Sequence, residues 1–137
     1  MFSHHQKRTP PLPPSINQFY LGVAAEAAQG QVCQAANDNG GGQVVISGTK
    51  AAIDRAVEIA KAKGAKRAIL LPVSAPFHCA LMHPAALVLR ERLSQIAITS
   101  PQMAVINNID VAVEIEPDRI RDALYRQAFG PVRWVQT

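Results

Sequence analysis

A short β-branched run, QVVISG over residues 43–48, leads directly into Thr49 and an amphipathic stretch that stops at Gly64. No other feature limits the possible folds as much as this strand-then-helix unit. β-Branched side chains favour a pleated, buried strand. Thr49 has a side-chain oxygen that can accept from the first unpaired helical amides. Ile53, Ala56, Val57 and Ala60 then recur at helical spacing and form one apolar stripe of a helix over 50–63.

The flanking sequence repeats the alternation. Residues 21–29 are alanine-rich and helix-favouring, and Gly30 suits a helix stop. QVCQAANDN (31–39) reads as a strand, and Gly40, Gly41 and Gly42 as the turn after it. RAILLPV (67–73) reads as another strand. SAPFHCALMHP (74–84) is a loop bracketed by Pro76 and Pro84. Pro84 fits the first turn of a helix over about 84–96, with Leu89, Leu93 and Ile96 inward. MAVINNI (103–109) is a further strand. Pro117 opens a last helix to about 128, with Asp118 at its positive end and Ile120, Ala123 and Leu124 inward. Alternating elements of this kind imply an α/β (α+β) fold. There are no internal repeats.

Composition narrows the class. The 137 residues are 48% apolar and 18% charged, an ordinary globular balance. No apolar run approaches the ~18 residues of a membrane helix. Met1 to Pro14 lacks the apolar core of a signal peptide, so the expectation is a cytoplasmic protein with no membrane association. Two cysteines, Cys33 and Cys79, suit a reducing compartment. The net charge of +4 fits an acidic protein, a phosphate-bearing cofactor or nucleic acid, but a solvated face is the simpler reading. Lys61, Lys63, Lys66 and Arg67 gather at one helix end, where cations also complement the helix dipole. No aromatic residues interleave with them, so no nucleic-acid partner is expected. TPPLPPSINQFY has four prolines in twelve residues, and residues 1–20 read as an extended or disordered leader containing His4 and His5.

Few residues offer chemistry. His78 lies in a loop between a strand and a helix, and imidazole exchanges protons near neutral pH. Cys79 is its neighbour, but adjacent side chains diverge, which makes a Cys–His pair awkward. His78, Cys79 and His83 match no structural zinc spacing, so no metal is expected. The glycine run lacks the Lys-Ser/Thr of a phosphate loop and precedes a strand, so it reads as a hairpin turn. None of the six serines lies in G-x-S-x-G. The chain thus offers a base without an evident nucleophile.

Four segments together resemble the malonyl-CoA:acyl carrier protein transacylases of bacterial fatty-acid synthesis. They are AANDNGGGQVVISGTKAAIDRA (35–56), AKGAKRAILLPVSAPFHCALMHPAA (62–86), INNIDV (106–111) and IRDALYRQAFGPVRW (120–134). The resemblance covers about residues 24–137, and PVSAPFHCALM is its most specific part. It implies that a serine on a nucleophile elbow attacks the malonyl thioester, with His78 taking the serine proton. It also implies that the main-chain carbonyl of Gln127 orients His78, a neutral stand-in for the usual aspartate of a triad. Asn37 and Asn39 match a loop near that family's cleft, and turn formation explains them equally well. Malonyl-CoA and phosphopantetheine-bearing acyl carrier protein are the implied substrates, with no bound cofactor.

Departures from the family matter. Its GQGSQ-like segment, its GHSLGE-like elbow and its carboxylate-binding arginine would all fall before residue 20, and residues 1–20 match none of them. The resemblance is therefore to a C-terminal portion lacking the nucleophile region, expected to be inactive alone. It implies a leader over 1–20, a ferredoxin-like subdomain over 21–73 without its first strand, and over 74–137 the C-terminal part of an α/β-hydrolase-like acyltransferase subdomain. SINQFYL (15–21) is a candidate for the missing central strand. Uncovered strand edges would favour self-association or a covering partner.

Overall fold

The computed structural model describes residues 16–137. The first helix, α1, spans Ile16–Ala28. It starts earlier than the expected 21–29, so residues 16–21 of the candidate strand SINQFYL are helical and do not supply a strand, while Ser15 lies outside the described residues. Helix propensity in INQFY is middling, and tertiary packing decides: Phe19 packs against the core beside Val23, Ala24 and Ala27. Residues 16–20 of the expected leader therefore belong to a helix, while the rest of it, with His4 and His5, lies outside the described residues. Left-handed Gln29 and Gly30 (φ 45° and 82°) stop the helix.

Strand β1 (Cys33–Asp38) runs antiparallel to β2 (Val44–Gly48), with a bulge between Ala35 and Asn37. Gly40, Gly41 and Gly42 turn the hairpin at φ 76°, 58° and 85°, a left-handed run that side chains resist. Helix α2 (Lys50–Ala62) begins as expected, with Thr49 Oγ1 accepting from the Ala52 amide at 3.3 Å. Gly64, at φ 94°, follows its end.

α1 and α2 pack on the β1–β2 hairpin around Val23, Ala24, Ala27, Cys33, Ala52, Ala56 and Ala60. Each small side chain removes little apolar area, about 0.8 kcal/mol per methyl-sized group. The alanines instead let the backbones approach closely. Gly48 shows how tight the packing is, because a Cβ there would lie 2.1 Å from the Val32 carbonyl oxygen.

Residues 67–73 do not form the expected strand. Ile69, Leu70, Leu71 and Val73 are about half exposed. A strand needs a ladder neighbour. The implied sheet order puts a missing strand between this run and β2, and among the described residues nothing occupies that place. β1 is flanked by β2 and by a short parallel strand, β5 (Val132–Arg133).

A 3₁₀ turn over Ala80–Met82 leads into α3 (His83–Ser94), with Pro84 in its first turn. Ala86 and Leu93 form the buried face of α3, whereas Leu89 and Ile96, expected inward, are 38% and 53% exposed. MAVINNI pairs over only three residues: β3 (Val105–Asn107) forms an antiparallel hairpin with β4 (Ala112–Glu114). NNID makes the connecting turn, so residues 108–109 are not strand. Helix α4 (Pro117–Gln127) opens at Pro117 as expected and buries Ala123, but Leu124 is 47% exposed. Arg121 joins α4 to α3 by donating to the Leu93 and Ile96 carbonyls at 3.1 and 2.7 Å, which satisfies the open end of α3.

The result is a mixed α/β architecture. Among the described residues no helix is long and apolar enough to cross a membrane.

Candidate active site

His78 is held in a loop whose backbone is fixed from several sides. Cys79 is 1% exposed, and its thiol donates to the Pro76 carbonyl at 3.2 Å. The Ala80 amide donates to Gln34 Oε1 of β1 at 2.7 Å, and the Met82 amide to the Cys79 carbonyl at 2.9 Å. Between these anchors His78 adopts φ 57°, a left-handed conformation that a non-glycine residue enters at a cost of about 1–3 kcal/mol. The ring stays partly exposed.

His78 Nδ1 lies 3.2 Å from the main-chain carbonyl oxygen of Gln127. A carbonyl only accepts, so Nδ1 carries the proton and donates it. In the neutral ring that leaves Nε2 as the lone-pair nitrogen. Gln127 ends α4, where helical carbonyls have no intrahelical partner, so its oxygen is free to accept. The Gln127 side chain folds back onto the following loop. Its Nε2 donates to the Gly130 and Pro131 carbonyls at 3.3 and 3.1 Å, which fixes the amide orientation because two acceptors require a donor. Its Oε1 is buried with no hydrogen-bond partner among the described residues.

Sequence reasoning reached His78 and Gln127 and missed what surrounds Gln127. Arg126, one residue earlier, grips Asp110 in a bidentate pair at 2.7 and 2.6 Å and also donates to Asp122 at 2.6 Å. The hydrogen bond from Arg126 holds the Asp110 carboxyl below the usual carboxylate range, and its bonds to Asp110 and Asp122 push the guanidinium further up. Only INNIDV and the RQ dipeptide carried a signal for this pair, through the family resemblance.

The other candidates have local roles. His83 Nε2 lies 3.0 Å from the Tyr125 hydroxyl, and its ring meets Phe129 edge-on at 5.0 Å. Arg90 sits over the Tyr125 ring at 5.0 Å, so this cluster joins α3 to α4. Asn39 Nδ2 donates to Gln43 Oε1 at 3.2 Å across the glycine turn. Asn37 is in the ladder, opposite Val45 on one side and Val132 on the other. Burial pushes the Cys33 thiol up, and Arg55 partly offsets this, which makes it a packing residue more than a nucleophile. An open depression of about 270 Å³ borders Gln127 between Ile106, Asn108, Val132, Trp134 and Thr137, and His78 is not in its wall.

No family model matches the chain. Among curated proteins it is 49% identical over 121 residues to the malonyl CoA-acyl carrier protein transacylase of Haemophilus influenzae, covering 88% of this chain and 39% of that protein. An acyl carrier protein S-malonyltransferase from Vibrio cholerae, known by crystal structure, superposes with a TM-score of 0.84 at 50% identity, over 87% of this chain and 39% of the other. A malonyl-transacylase solved in complex with a type II PKS acyl-carrier protein gives a TM-score of 0.86 at 49% identity, over 88% and 39%. The chain thus spans about two fifths of the length of the relatives it matches.

Proposed function

Because the chain belongs, over most of its own length, to the malonyl-CoA:acyl carrier protein transacylase family, we propose that it supplies the general base of a malonyl-transfer site. The observation that carries this reading is the His78 Nδ1–Gln127 carbonyl contact at 3.2 Å. With its proton fixed on Nδ1, the ring offers Nε2 to a serine hydroxyl. That serine belongs to a polypeptide stretch outside this sequence, since none here lies in G-x-S-x-G.

The proton then moves in two cycles. Nε2 takes it as the serine oxygen attacks the malonyl thioester carbon. It returns to the sulfur of CoA as the carbon–sulfur bond breaks and an acyl-serine forms. In the second half the phosphopantetheine thiol of acyl carrier protein gives its proton to Nε2. Its sulfur then attacks the acyl-serine, and the serine oxygen recovers the proton. No cofactor takes part in these steps. Asn37 and Asn39, on the hairpin beside β5, are the residues proposed to border the substrate. The setting is the cytoplasm, with malonyl-CoA and acyl carrier protein as partners and neither nucleic acid nor membrane.

A chimera tests this. This chain's residues 24–137 replace the matching stretch of the H. influenzae enzyme, and transfer from malonyl-CoA to phosphopantetheine-bearing acyl carrier protein is followed. The expected result is turnover that His78→Ala reduces by about 10³-fold or more. A folded chimera that turns over equally well with His78→Ala contradicts the assignment. The isolated chain is expected to show no turnover.

A second reading is a non-catalytic module that binds acyl carrier protein, supported by the +4 charge. Capture of acyl carrier protein by the isolated chain without transfer, weakened by added salt, would favour it.

A further inference from the structure

We infer that the turn Asn107–Asp110 is a positioning device for His78, acting through Gln127 without touching the imidazole. This rests on the reading of His78 as a base and adds the residues that set its tautomer.

The turn is rigid in its own right. The Asp110 amide donates to Asn107 Oδ1 at 2.8 Å, and Asn107 Nδ2 donates to the Ala112 carbonyl at 3.2 Å. From this frame four contacts reach the chain on both sides of Gln127. Before it, the Asp110 carboxylate holds Arg126 in a two-point, charge-assisted grip, which fixes orientation as well as distance. After it, the Ile109 side chain fills the space beside Gly130. A Cβ there would lie 2.3 Å from Ile109 Cδ1 and 2.9 Å from the Arg126 carbonyl. Further on, Asn108 Oδ1 accepts from the Arg133 amide at 2.8 Å, and the Arg133 guanidinium donates to the Ile109 carbonyl at 3.3 Å. The C-terminal end of α4 and the loop to β5 are therefore clamped to one hairpin turn.

Gln127 lies in the middle of that clamp. Its carbonyl accepts from His78 at 3.2 Å, near the long end of a useful hydrogen bond, where a small rotation of the peptide would lose it. An α4 end left to fray would also present its carbonyls to water. The turn removes that freedom. Asp122 makes an instructive contrast. It holds Arg126 from within α4 and cannot anchor the helix to anything else.

The test is the tautomer of His78, read by ¹⁵N NMR of the imidazole in the whole chain at a pH where the ring is neutral. The wild-type ring is expected to carry its proton on Nδ1. Asp110→Asn is expected to raise the ratio of the Nε2–H to the Nδ1–H form by about threefold, on the scale of a partly exposed ion pair. Asp122→Asn is expected to leave the ratio unchanged. Ile109→Ala, which loosens the other side of the clamp, is expected to move it in the same direction as Asp110→Asn and carries the test if that variant fails to fold. An unchanged ratio in folded Asp110→Asn or Ile109→Ala, or an equal shift in Asp122→Asn, overturns the inference. A wild-type ring protonated on Nε2 instead overturns the base assignment itself, so the two failures are distinguishable.

Discussion

Residues 16–66 and residues 67–137 carry similar apolar sequence and treat it differently. In the first stretch, α1 and α2 close over the β1–β2 hairpin, and Leu21 is the one large apolar side chain there left exposed among the described residues. In the second, Ile69, Leu70, Val88, Met103, Ile106, Val113, Ile115 and Trp134 are all more than half exposed. The first unit is built from neighbours in sequence. The second has its apolar positions laid out for surfaces that are absent from the described residues, and polar contacts hold it instead: Arg121 on α3, Arg126 on the hairpin turn, Arg133 on Ile109. His78 belongs to this second unit, and Gln34 ties its loop to the first. The geometry of His78 therefore depends on directed polar bonds more than on a closed core.

Substitutions can break this contrast. Gly48→Ala is expected to have the largest effect, roughly 3 kcal/mol in chemical denaturation, because the new Cβ meets backbone that cannot yield. Ala56→Leu, in a seam where Ala56 is 4% exposed, should cost about 2 kcal/mol by overpacking. If either were neutral, the first unit would not be the tightly packed one. Leu70→Ser and Val88→Ser, at 59% and 66% exposure, should change stability by less than about 0.5 kcal/mol. They should also lower concentration-dependent association in sedimentation. A loss as large as that of Ala56→Leu would show that these side chains are already covered.

Much of the first unit was legible because its signals are local. Thr49, Ile53, Ala56, Ala60 and Gly64 all lie within one helix and its caps, although Ala52 and Ile59 join the core in place of the expected Val57. Pattern fails where a neighbour in space decides. RAILLPV has strand composition, yet without a ladder partner it stays unpaired. Leu89 and Ile96 fit a helical stripe, but the α3–α4 contact selects Ala86 and Leu93. At the site, loop placement pointed to His78, and the Gln127 carbonyl came from family resemblance, since main-chain atoms leave no compositional trace. The Asp110–Arg126 pair went unread: the INNIDV and RQ matches contain its two residues, but nothing in the sequence joins two different elements across 16 positions.

The smallest expected effect is an acid one. The folded Asp110 carboxyl titrates below its ordinary value because Arg126 donates to it. Its contribution is therefore complete above the ordinary carboxylate range and fades as pH falls through the lowered folded value. Thermal unfolding followed into that range should show a slightly shallower acid loss for Asp110→Asn than for the wild type. Identical profiles would mean that the pair adds nothing to the clamp.

On the proposed reading His78 deprotonates a hydroxyl that arrives from another stretch of polypeptide. The most direct measurement mixes this chain with a separate polypeptide bearing a GHSLGE-type elbow, malonyl-CoA and phosphopantetheine-bearing acyl carrier protein. Transfer that saturates with the second polypeptide and disappears with His78→Ala is the predicted result. A stable complex of the two polypeptides that transfers nothing, or transfers equally with His78→Ala, would contradict it.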